Sequence, residues 1–162
     1  MRAARALHEQ RWDTPERLCA ASWRDRTDVL NAAGYARYDE RTSTMLGQTA
    51  ERLIDAYGGD LRRLREHAGR DPGEERRRLK EFQGIGDVGA DIYLREAQAA
   101  WGELRPFADR RALETARDLG LPADAARLAE LVPEHEVARL VAALVRTRLE
   151  RDLDGVRAAA GA

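Results

Sequence analysis

The sequence predicts an all-α fold, and three observations carry that prediction. Apolar residues recur at three- and four-residue steps in one segment after another. β-Branched residues are scarce and nowhere alternate with polar ones, so no strand is expected. The periodic segments are opened by Thr, Asp or Pro and closed by glycine, as helices are. Together these give roughly eight to ten short helices joined by tight turns. Residues 1–150 read as one compact multi-helix domain, and 151–162 as an alanine-rich tail that frays.

Residues 2–10 hold strong helix formers but few large apolar side chains, so the first helix buries little. Thr14 caps a second helix, with Pro15 preset at its first position. A third runs from Trp23 to Ala32, turns Val29 and Leu30 inward and stops at Gly34. Arg37 to Tyr57 is the longest pattern. Tyr38, Thr42, Met45, Leu46, Thr49, Leu53, Ile54 and Tyr57 mark one stripe, and Gly58-Gly59 ends it. Asp60 opens a short helix through Leu64, and Arg70-Asp71-Pro72-Gly73 is a turn. Glu74 to Phe82 is helical and arginine-rich. After Gly84-Ile85-Gly86, a helix from Asp87 to about Trp101 turns Val88, Ile92, Ala99 and either Leu94 or Tyr93 inward. Residues 103–107 are a loop, and Asp109 starts a helix that Gly120 stops. Pro122-Ala123-Asp124 opens a short helix. Pro133 opens the last, whose Val137, Leu140, Val141, Leu144, Val145 and Leu149 form a wide apolar face.

Composition excludes several classes of function. Of 162 residues, 43% are hydrophobic and 35% charged, a globular and not a disordered profile. The net charge of −1 gives no overall pull toward nucleic acid, so any such binding needs a local basic face. Cys19 is the single cysteine, which rules out an internal disulfide and any cysteine-ligated zinc or iron–sulfur cofactor. His8, His67 and His135 share no metal-ligand spacing, so neither metal nor cofactor is expected. No apolar run has the length of a membrane span, and no secretory leader pattern opens the chain; a cytoplasmic location is expected.

The stretch that organises the chain is Phe82-Gln83-Gly84-Ile85-Gly86-Asp87-Val88-Gly89-Ala90. Glycines at 84 and 86 permit positive φ and leave no Cβ to block a close approach. The helix that follows aims its unpaired N–H groups and positive dipole end outward, where a phosphate would be held. An ordinary tight turn between helices explains the same glycines, and both readings stay open. Asp109 carries a similar duality, since aspartate is a favoured N-cap as well as a catalytic carboxylate.

Helix, Gly-x-Gly hairpin, helix, and then an aspartate after a short loop, in Phe107-Ala108-Asp109-Arg110, resembles the helix-hairpin-helix DNA glycosylases of the endonuclease III type. Thr14-Pro15-Glu16, Gly34-Tyr35 and Tyr57-Gly58-Gly59-Asp60-Leu61 stand in the family's order, so the resemblance spans about residues 10–122. It implies that Gly84, Ile85, Gly86, Val88 and Gly89 grip duplex DNA through its phosphate backbone without reading sequence. Arg78, Lys80, Arg110 and Arg111 become candidate phosphate contacts, and Tyr35 and Tyr38 candidate pocket residues. A damaged base is flipped into a pocket, and Asp109 activates water and stabilises positive charge on the sugar as the base leaves. The implied protein is a DNA-repair hydrolase, nucleoid-associated within the cytoplasm.

Four departures qualify what the resemblance implies. Val88 occupies the position of the lyase lysine and cannot form a Schiff base, so a monofunctional glycosylase is expected. The family's four-cysteine cluster is impossible here. Asp87 sets a negative charge beside the phosphate site, and the chain is expected to begin after helices that carry part of the lesion pocket in relatives. A non-catalytic DNA-binding protein, or a helical interaction domain that has lost DNA binding, are the alternatives. The basic run 76–80 also reads as a solvated face paired with Glu74, Glu75 and Glu81.

Overall fold

A computed structural model describes residues 2–160. It is all-helical, with eleven α-helices and no strand among the described residues. None of these helices is long and apolar enough to cross a membrane. The chain forms two compact units, Met1–Ile85 and Gly86–Ala162.

The first unit holds α1 (Arg2–Glu9), α2 (Pro15–Ala20), α3 (Trp23–Leu30), α4 (Asp39–Tyr57), α5 (Arg62–His67) and α6 (Pro72–Leu79). Thr14 caps α2 by accepting from the Arg17 amide. Ser22 and Asp25 form a reciprocal capping box on α3, closing two amides at once. A π-helical turn, Asn31–Tyr35, follows, with Gly34 at φ 82°. Gly58 ends α4 in the left-handed region.

The α4 helix packs on α2 and α3 through its smallest residues. Ser43, Gly47 and Ala50 are buried there, whereas Tyr38 lies outside the helix and is 50% exposed. The expected stripe of large residues is therefore displaced by about one helical row, because close helix approach selects small side chains. Arg26 fills the space that Gly47 leaves. Its guanidinium donates to the carbonyls of Leu18 (2.9 Å), Ala21 (2.6 Å) and Ser43 (3.2 Å). Of these, the Leu18 and Ala21 carbonyls lie at the end of α2, where helix geometry leaves carbonyls without partners, and Ser43 belongs to α4. Leu30, Tyr57, Leu64, Leu79 and Phe82 are buried, and Tyr57 stacks on Phe82.

The arginine-rich helix begins earlier than its pattern suggests. Asp71 accepts from the Glu74 amide (2.8 Å) as N-cap, and Pro72 takes the first helical position, so the expected turn at 70–73 is a helix start. The helix also ends at Leu79, three residues short of Phe82.

The second unit comprises α7 (Asp87–Ala97), α8 (Arg110–Asp118), α9 (Ala125–Ala129), α10 (Val137–Glu150) and α11 (Leu153–Ala160). The α10 helix packs on α7 and α8. Ala112, Ala116, Leu128, Val137, Val141, Leu144 and Val145 form the core, flanked by half-buried Leu113, Leu121 and Leu140. In α7 the buried row is Ala90 and Leu94, four residues apart. Val88 (64% exposed), Ile92 (44%) and Ala99 were expected inward and are not. They lie off the row that Ala90 sets, so their side chains leave the core. Leu149, at the end of α10 beyond the core, is likewise 64% exposed. Residues 102–104 make one 3-10 turn in the expected loop, and another at 134–136 separates Pro133 from α10. In the tail, α11 is held by Arg157, which donates to the Asp118 carbonyl. Gly161 and Ala162, at the end of that tail, lie outside the described residues.

Candidate functional site

The Gly84–Gly86 turn joins α6 to α7 along the chain, and its two glycines differ. The Ile85 amide donates to the Phe82 carbonyl (3.0 Å), closing the turn after α6. Gly84 has φ 85°, a conformation L side chains rarely adopt, and a Cβ there would lie 1.8 Å from the end of Met45. The positive φ favours glycine there, and any side chain would also have to move the Met45 methyl aside.

Gly86 differs. It is the N-cap of α7 with φ −93° and ψ −167°, ordinary extended backbone, and nothing lies within 4 Å of the place a Cβ would take. No local constraint asks for glycine there. It has no side chain to cap α7, and α4, α5 and α10 likewise begin without a side-chain cap. The helices α2, α3, α6, α8 and α9 are each capped by an Asp, Ser or Thr side chain. The first turn of α7 thus lacks an N-cap side chain, with the positive end of the helix dipole at that end.

Asp109 caps α8. Its Oδ1 accepts from the Ala112 amide at 2.9 Å, and its Oδ2 accepts from Arg95 Nη1 at 2.6 Å. Both side chains are about nine-tenths buried. At this distance the pair is a charge-assisted hydrogen bond, and each charge depends on the other for having left water. Arg95 also binds Glu96 through Nε at 2.9 Å.

The segment leading into Asp109 is fixed by Gln98, which is fully buried. Its amide donates to the carbonyls of Phe107 (2.8 Å) and Arg95 (2.9 Å) and accepts from the Phe107 N–H (3.1 Å). A single side chain therefore replaces the missing backbone partners of the strand-like residues before α8. Arg95 lies in the last turn of α7 and Gln98 is the residue that ends it, so the C-terminal end of one helix sets the carboxylate's position.

Asp109 opens onto a cavity of about 360 Å³ within the second unit. One wall is apolar, made of Val88, Ile92, Val145 and Leu149. Asp87, Asp91 and Asp109 contribute acids, and Arg95, Arg110 and Arg111 bases. The exposure of Val88 and Ile92 thereby has a local meaning, since they line this cavity. Chemically it joins an apolar wall to a carboxylate that holds two donors and retains further lone pairs.

The remaining sequence-derived residues are spread more widely. Gly89 is half-buried and Ile85 sits in the turn. Arg110 is 88% exposed and lies 3.6 Å from Glu114; Arg111 is exposed and forms no ion pair among the described residues. Arg78 is bound to Glu74 at 2.9 Å, and Arg77 to both Glu74 and Glu81 at 2.7 Å. Glu81 also holds Arg52. The basic run is therefore woven into carboxylates, as its spacing suggested. Lys80 is exposed. Tyr35 and Tyr38 are exposed with ring centroids 6.0 Å apart, and Arg37 lies 5.3 Å from the Tyr38 ring. They belong to the first unit, whereas every residue lining the 360 Å³ cavity belongs to the second.

Sequence reasoning passed over Arg95 and Gln98. Arg95 follows Asp87 and Asp91 at four-residue steps, a row that places all three on one face of α7 and was a readable signal. Nothing local marks Gln98, whose partner is nine residues away in a loop. Comparison with known proteins finds no matching family model, no matching curated protein and no matching solved structure.

Proposed function

We propose that the protein is a helix-hairpin-helix DNA glycosylase-like hydrolase, monofunctional, acting on a damaged base flipped out of duplex DNA. The observation that carries this reading is that Asp109 and the first turn of α7, directly after Gly84-Ile85-Gly86, line one cavity. The start of α7 without an N-cap side chain and the open space where a Gly86 Cβ would stand suit a backbone phosphate, and Arg111 adds an exposed cation in the cavity lining. Asp109 is the carboxylate that activates water and offsets positive charge on the sugar in an oxocarbenium-like transition state. Val88 faces the cavity where a lyase would carry its amine, so base release ends the reaction.

Incubation with duplexes carrying uracil, alkylated or oxidised bases tests this. Release of a base by the wild-type protein and its loss in Asp109→Asn is the expected result; equal release by both proteins removes the hydrolytic role.

A second reading, a DNA-binding protein without chemistry, is favoured by one observation. Both Asp109 oxygens already accept hydrogen bonds, and the residue is only 8% exposed. Salt-dependent duplex binding without base release from any of these substrates selects it.

A further inference from the structure

We infer that Arg95 is the positioning residue of the candidate site, holding Asp109 in the one orientation from which its carboxylate can serve the cavity. The inference rests on the hydrolytic reading for its catalytic meaning, but its geometric content stands apart from it. Three observations support it. Arg95 Nη1 binds Oδ2 at 2.6 Å, while Oδ1 is committed to the Ala112 amide at 2.9 Å. Two donors on two different oxygens fix both χ angles of a carboxylate, which one donor cannot do. Glu96 binds Arg95 Nε at 2.9 Å, so the guanidinium is itself oriented, and its side chain is 10% exposed. Finally, Arg95 and Asp109 line the same cavity, so the pair is part of the site's wall and not a distant brace.

The pairing also answers a chemical question. A carboxylate that must meet a developing cation has to remain charged in a cavity with an apolar wall formed by Val88, Ile92 and Val145. An adjacent guanidinium offsets the desolvation of that charge without supplying a transferable proton, because arginine stays protonated. Lysine would bring the charge but not the planar fork that reaches Asp109 and Glu96 together.

The test compares Arg95→Met, which keeps the side-chain length without donors, with Arg95→Lys, which keeps the charge. Arg95→Gln, which keeps a donor, replaces the methionine variant should that one not fold. Two readouts are taken on each. The first is hydrogen exchange at the Ala112 amide, which reports whether Asp109 still sits on its cap. Exchange about tenfold faster in Arg95→Met, with α10 amides unchanged, is expected. The second is single-turnover base release from the lesion panel alongside affinity for a duplex carrying a tetrahydrofuran abasic analogue. Release is expected to fall about 100-fold with affinity within about threefold, and the lysine variant to recover at least about tenfold of that loss. A merely structural role would lower affinity and release together. Unchanged Ala112 exchange in the methionine variant overturns the inference, whatever the activity. Should the wild-type protein release no base from any duplex, the hydrolytic reading fails, and faster Ala112 exchange still supports the positioning of Asp109 by Arg95.

Discussion

Arg95 and Asp109 hold one another at 2.6 Å across 14 residues of sequence, with no more than a tenth of either side chain exposed. Such a pair costs little while intact and much when halved, because the survivor stays buried without its counter-charge. Asp109→Ala also strips the cap from α8, so urea denaturation should show a loss on the order of 4 kcal/mol. Asp109→Asn keeps a capping oxygen and should lose about 2 kcal/mol, the share owed to the stranded guanidinium. Joining it to Arg95→Met removes both charges and should recover part of that loss. A double variant as unstable as the two single losses added together would contradict the pairing.

The two glycines of the turn should separate cleanly. Gly84→Ala must place a side chain at φ 85° and push Met45 aside, costing about 1–2 kcal/mol in chemical denaturation. Gly86→Ala meets ordinary φ and open space, so stability should stay within about 0.5 kcal/mol of wild type. In the proposed reading the added methyl stands where a phosphate approaches, and fluorescence anisotropy with a labelled duplex should show affinity falling about tenfold. Equal stability losses at the two positions would show that the distinction between them is wrong.

Gln98 offers a test of how the loop before α8 is held. Gln98→Leu preserves volume but abandons both the N–H and the carbonyl of Phe107. Two buried backbone groups without partners should cost about 2–4 kcal/mol. The Phe107 amide should lose exchange protection first, ahead of the amides of α7. Full protection at Phe107 in the variant would mean that something other than Gln98 anchors the loop.

The ion-pair network on α6 sets an acid limit. The Arg77 hydrogen bond, with the charges of Arg77 and Arg78 beside it, lowers the Glu74 carboxyl to about 2. A carboxyl lowered on folding stabilises fully above its unfolded value of 4.5 and loses that contribution as pH falls through about 2. The stability difference between wild type and Glu74→Gln should therefore be level from about pH 8 to 5 and shrink steadily below that. Because these side chains are solvated, added salt should shrink it at every pH. A difference that grows on acidification would reverse the sign of the linkage.

How far the sequence could be read depended on the range over which each feature is determined. Thr14 and Asp109 as caps, Gly58 as a stop and the all-helical class follow from chemistry within four residues, and all are visible in the chain alone. Direction around a helix axis is another matter. Val88 and Ile92 have the spacing of a core row, but Ala90 and Leu94 are the residues buried, and only packing in space decides between two rows nearly half a turn apart. The same holds for α4, where a row of Ser, Gly and Ala lies against its neighbours. Asp109 was singled out from its place after the turn, whereas Arg95 was not, because a charged residue in a helix reads as solvated until its counter-charge is located in space. Asp71 as a helix cap was not legible for a simpler reason, since Asp-Pro-Gly opens helices and turns alike.

Arg26 and Gly47 carry a consequence for how the chain can change. A methyl group at 47 would stand 2.7 Å from Arg26 Nη2, in the volume the guanidinium occupies to reach Leu18, Ala21 and Ser43. Residues 26 and 47 thus behave as a single heritable character. A side chain gained at 47 displaces the guanidinium unless 26 is shortened, and shortening 26 leaves the Leu18 and Ala21 carbonyls at the end of α2 without these donors. At the junction of α2, α3 and α4, a change at either of these two positions therefore bears directly on what the other can be.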